Sequence, residues 1–158
     1  GAALDRAGRS RLALTPDTLY RQRPHMKSKA VLTQTEVQQI LNAARTEAQN
    51  NQWAVTIAIV DDGGHPLALE RLDDCPPVSA YIATEKARTS ALGRRESKNY
   101  EEMVNGGRPS FLSAPLLICL EGGVPIIVDG QVIGAVGVSG VTAPQDAQVA
   151  RAGVQSLK

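Results

Sequence analysis

Two short polar turns, each set between runs of alternating apolar residues, constrain this chain more than any other feature. Asp129-Gly130 separates residues 124–128 from 131–139, and Asp61-Asp62-Gly63-Gly64 separates 53–60 from 66–71. A two-residue Asp-Gly link joins neighbouring antiparallel strands without splaying them, because both of its positions accept positive φ. In the run 53–60, Val55, Ile57 and Ile59 fall on one face and Ala54, Thr56, Ala58 and Val60 on the other. With both faces apolar or small, that strand is covered on two sides. Pro66 suits a strand start or an edge, where a missing N–H costs least.

Helical spacing fills the intervals between these strands. Thr33 and Glu36 stand at capping-box spacing, and Val37, Ile40, Leu41, Ala44 and Ala48 follow on one stripe, which predicts a helix ending near Asn50-Asn51. Residues 79–92 carry Ile82, Ala83, Lys86, Ala87, Ser90 and Ala91 at helical spacing, with Gly93 as a stop. Residues 97–104 predict a short third helix closed by Gly106-Gly107, followed by an irregular loop over 109–115. Residues 116–120 read as a further strand, for a total of five. Thr142 with Gln145 forms a second capping box, with Pro144 in the first turn, and Val149, Ala150 and Val154 lead the last helix towards Leu157. Hairpins and helices in this order predict an α+β domain built on a mainly antiparallel sheet.

A chain of 158 residues with 42% hydrophobic side chains suits one such domain. Five aromatic residues are too few for a base-stacking surface, so no nucleic-acid partner is expected. Charge divides unevenly. The first 29 residues carry seven Lys and Arg against two Asp, for +5, while the remaining 129 carry −4. Residues 1–25 also lack apolar periodicity and read as a basic extension, upstream or appended, ahead of a single domain over 26–158. No apolar run approaches the roughly 18 residues that span a bilayer, so no membrane partner is expected. Cys75 and Cys119 read as reduced thiols in a cytoplasmic chain.

Chemistry-bearing residues are sparse. Gly122, Gly123, Gly130, Gly134, Gly137 and Gly140 crowd one segment, but their spacing matches neither the dinucleotide fingerprint nor a P-loop. Glycine inside a strand marks close approach, favouring a packed helix or subunit and leaving a ligand as the alternative. Gly137-Val138-Ser139-Gly140 misses the hydrolase elbow by one position. His65 stands among Asp61, Asp62, Asp73 and Asp74, residues that turns favour anyway and that lack specific metal spacing, so no metal is assigned. Lys86 falls on the apolar stripe of its helix, where an ammonium must reach water or meet an anion. No complete catalytic constellation is legible.

Several segments together resemble the GlcG/HbpS-like family, also met as the C-terminal domain of PduO-type proteins. They are VDDGGHPLALERLDD (60–74), EKARTSA (85–91), GGVPIIVDGQVIGAVGVSG (122–140) and QDAQVA (145–150). The likeness is strongest to the member associated with glycolate utilisation. It implies a profilin-like α/β/α sandwich around a central antiparallel five-stranded sheet, assembled as a homo-oligomer. It also implies haem as a cofactor, with haem degradation among the activities proposed for relatives. Lys86, Gly122, Gly123 and Pro125 coincide with the family pattern, and Ser110 lies in the loop before it. Haem further needs cations for its propionates, for which Lys86 and Arg71 are available, and an iron ligand from among His65, Tyr81, Tyr100 and Met103. The alternatives are a pocket for a small carboxylate such as glycolate or glyoxylate, held by Lys86 and glycine-turn N–H groups, and an oligomeric scaffold without a ligand.

Overall fold

The computed structural model describes residues 16–17 and 25–158. The stretch read as a basic extension lies outside the described residues apart from Pro16, Asp17 and His25. The elements are α1 (Gln34–Asn50), β1 (Thr56–Asp61), β2 (Pro66–Arg71), α2 (Val78–Gly93), α3 (Lys98–Asn105), a 3₁₀ turn (Pro109–Ser113), β3 (Gly123–Val128), β4 (Gln131–Ser139) and α4 (Ala143–Gln155). Both expected capping boxes form, at Thr33 with Glu36 and at Thr142 with Gln145. The hairpin link also has the geometry its residues imply, with φ of +51° at Asp129 and +74° at Gly130.

The four strands make one antiparallel sheet in the order β2-β1-β4-β3. Helices cover both faces, which is the α/β/α layering the resemblance implied. On one face α1 and α4 bury Val37, Ile40, Ala44, Val149 and Ala150 against Ile57, Ile59, Val124, Ile126, Val136 and Val138. On the other, α2 lays Ala83, Ala87 and Ala91 on Ala58, Val60 and Ala135. The first face is thick and branched, whereas the second is made of the smallest side chains, so α2 sits close to the sheet. Gly123 and Gly137 are register partners on β3 and β4. A Cβ at Gly137 would overlap the carbonyl oxygen of Ala83, and one at Gly123 that of Lys86. The glycine cluster is thus in large part a packing seam for a helix.

The expected fifth strand is absent among the described residues, since residues 116–120 join no ladder. Leu116 turns the chain with φ of +62°, and Ile118 N–H donates to the Thr89 hydroxyl of α2 at 2.8 Å. Next to these residues, the free side of β3 is already engaged where the strand begins. Ser97 N–H donates to Gly123 O at 3.0 Å, and Gly123 N–H donates to Ser97 Oγ at 2.8 Å. The apolar run that suggested a strand is instead tied to α2 through this Ile118–Thr89 bond.

Candidate functional site

Lys86 projects from α2 between the sheet and the start of α4, and only 4% of its side chain is exposed. Its ammonium donates to Val138 O at 3.0 Å and to Asp146 Oδ2 at 2.9 Å. The anion that Lys86 was expected to meet is therefore internal. Asp146 is equally dry, and its Oδ1 accepts Val141 N–H at 3.1 Å, so both carboxylate oxygens are used. Burial pushes the Asp146 carboxyl above its ordinary value against the pull of Lys86, and Glu121 adds to the rise. Gly122, at φ +134°, closes the remaining space: a Cβ there would stand 2.7 Å from Val138 O and 2.8 Å from the Lys86 ammonium. Lys86, Gly122 and Gly123 do converge, but on one another. Asp146 escaped sequence reasoning, although a carboxylate following a capping box among Val149, Ala150 and Val154 signals a buried acid.

Other sequence-selected residues lie apart from this pair. Ser110 sits exposed in the 3₁₀ turn, its carbonyl accepting from the Ser113 hydroxyl at 2.7 Å. Arg71 is exposed at the far end of β2 from the turn that carries His65. Tyr100 is buried, with Phe111 5.9 Å away between ring centroids and the Arg95 guanidinium over its ring. Met103 is half-buried, while Tyr81 is exposed on α2. Cys75 is buried against the hydroxyls of Thr56 and Ser79, and both cysteines are free thiols.

His65 has a more specific setting. Its Nδ1 lies 3.1 Å from both oxygens of Asp61, and Oδ1 of that carboxylate also accepts the backbone N–H groups of Gly63 and His65 at 2.9 Å. Partial burial works against a charge on Asp61, but these donors outweigh it and hold its carboxyl below the usual range. A charged carboxylate at Nδ1 favours a ring proton there, so that the neutral tautomer it selects is the one with its lone pair on Nε2. The side chain is 78% exposed. Arg94 donates to Asp62 O at 2.7 Å and Lys29 pairs with the Asp62 carboxylate at this turn, while Arg88 packs its stem on Gly64 and pairs its guanidinium with Glu85.

Pro125 lines a different feature, a cavity of about 480 Å³ between the free edge of β3 and the last turns of α4. Val124, Pro125, Ile127 and Val154 supply apolar walls, with Arg151, Lys158 and Glu96 at the polar side. Arg151 and Glu96, which sequence reasoning did not select, form a two-bond pair at 2.9 and 3.1 Å. They are 55 residues apart, so no local spacing betrays them.

Residues 32–155 match the family model described as haem degrading protein HbpS-like. The chain belongs to the HbpS-like family. Among curated relatives, protein GlcG of Escherichia coli K12 is 64% identical over 114 residues, covering 72% of this chain and 85% of that protein. Among HbpS-like structures, a double mutant of HbpS from Streptomyces reticuli superposes with a TM-score of 0.78 at 26% identity, over 85% of this chain and 92% of that one. The crystal structure of a PduO C-terminal domain in complex with haem gives a TM-score of 0.73 at 28% identity, over 80% of this chain and 95% of that one.

Proposed function

We propose that this chain is a haem-binding accessory protein, homo-oligomeric and cytoplasmic, that works alongside glycolate utilisation, with His65 as the iron ligand. The observation that carries the reading is the His65–Asp61 pair. A neutral imidazole oriented by a carboxylate through Nδ1, with Nε2 facing outwards, is the donor that haem iron takes. The turn also suits the rest of the cofactor, since Arg94, whose hydrogen bonds go to backbone carbonyls, stands there as a partner for a propionate, with exposed Lys29 beside Asp62 as a second cation. Bound haem would supply an iron centre for ligand exchange or oxidation, while the chain's own part is to present Nε2 and to keep the ring from turning. An exposed histidine on one chain offers a single wall. A second protomer would provide the opposing one, and exposed Leu69, Val78 and Tyr81 are apolar surface available for such an assembly. Similarity to a PduO C-terminal domain in complex with haem supports the cofactor. The small-carboxylate reading that relied on Lys86 loses its cation to Asp146.

The test is a haemin titration of the purified chain followed at the Soret band. Saturation at a defined ratio is expected, with the shift lost in His65→Ala and weakened in Asp61→Asn. A featureless, non-saturating response in the parent chain, or an unchanged one in His65→Ala, would overturn the assignment.

A further inference from the structure

The cavity beside β3 holds no candidate iron ligand, since its lining contains no His, Cys, Met or Tyr. Its chemistry is of another kind. Glu96 takes the side of the Arg151 guanidinium formed by Nε and Nη2. A guanidinium has five donors and two forked faces, so the end face carrying Nη1 is left over, and no described group accepts from it. Arg151 is 40% exposed at its side chain, so this end face is wettable. Glu96 therefore acts as a brace that stops the guanidinium from swinging and presents one remaining fork. Val124, Pro125, Ile127 and Val154 make up the apolar part of the lining, and its one acid, Glu96, is the group paired with Arg151. The neighbouring hollow that Arg151 also touches is different, since its acid, Glu47, forms no ion pair among the described residues, whereas Glu96 is neutralised by Arg151.

We propose that this cavity is a binding site for an amphiphilic monocarboxylate, a carboxylic acid carrying a branched aliphatic or single-ring aromatic body. Charge complementarity selects the head group, because a planar carboxylate fits a guanidinium fork with two parallel bonds. Wall composition selects the body, because exposed Ile127 and half-buried Val154 stay in water unless an apolar body covers them, beside buried Val124 and Pro125. The volume of about 480 Å³ lies within the usual range for small-ligand pockets and exceeds what a two-carbon hydroxy acid fills. This site is separate from His65 and does not depend on haem.

Isothermal titration of the full chain with benzoate and isovalerate, beside benzamide, isovaleramide and glycolate, tests the inference. At least one of the two acids should bind saturably at one per chain, and the amides and glycolate at least about tenfold more weakly. Arg151→Gln should weaken acid binding by about tenfold or more while the haemin response stays as in the parent. Ile127→Asp alters a residue that is 55% exposed, so folding is retained, and should abolish acid binding by placing a like charge on the wall. Absence of saturable binding by both acids, equal binding of acid and amide, or an indifferent Ile127→Asp would each overturn the site. None of these outcomes bears on the His65 titration.

Discussion

Replacing Lys86 by Met removes the ammonium and keeps most of the stem, so what changes is the charge and its two hydrogen bonds to Val138 O and Asp146. The Asp146 carboxylate would then stand 97% buried without its cation, held only by Val141 N–H. Removing one member of a buried pair costs about 3–5 kcal/mol, because the other is left uncompensated. The double variant Lys86→Met with Asp146→Leu removes both charges and should recover most of that loss, as apolar replacements of buried pairs commonly do. With a slope of about 2 kcal/mol per molar urea, the single variant should unfold roughly 2 M earlier than the parent, and the double variant within about 1 M of it. Equilibrium urea unfolding by circular dichroism, at one protomer concentration throughout, measures both. If Lys86→Met costs less than about 1 kcal/mol, the ammonium is solvated in solution and free for a ligand, and the closed pair described above is wrong. Strict additivity of the two single changes would equally refute the coupling.

Gly137→Ala should cost about 3 kcal/mol or more, since its Cβ would overlap backbone of α2 that cannot step aside; Gly130→Ala, with open space around it, should cost about 1–2 kcal/mol for its φ of +74°. Thermal melts of the two variants would contradict the seam if they lost stability equally. Arg45 holds the Glu70 carboxyl below its ordinary value. The folded value lies below the unfolded one, so this pair stabilises above about pH 4.3 and its contribution is lost as the pH falls through the folded value. Glu70→Gln should therefore cost under about 1 kcal/mol at neutral pH and progressively less as the pH falls through the folded value, and a penalty independent of pH would show the pair is not electrostatic. Deleting residues 1–25 should leave the melting temperature and haemin titration unchanged, and loss of soluble protein on deletion would show that the segment belongs to the domain.

Much of the fold was legible because local rules and tertiary demands agree along the chain. The two capping boxes, the Asp129-Gly130 turn and the apolar stripe from Val37 to Ala48 state their structure within a few residues. Residues 116–120 misled because an apolar run reads alike whether it joins a ladder or is tied to a helix, and Ser97 already holds Gly123 where β3 begins. The site was harder. Lys86 drew notice for the right reason, an ammonium on an apolar stripe, but its partner lies 60 residues away across the sheet. Which charges pair over such distances depends on helix placement, and periodicity carries no record of it. His65 is the opposite case, since its orienting Asp61 is four residues away in the same turn.

The strands at the two margins of the sheet, β2 and β3, each contain a proline, Pro66 and Pro125. A proline interrupts the row of donors that an incoming chain would need to lengthen the sheet. Copies of this molecule are thereby discouraged from stacking rim to rim into ribbons, and association is steered towards helices and loops, where it can close on itself and stop.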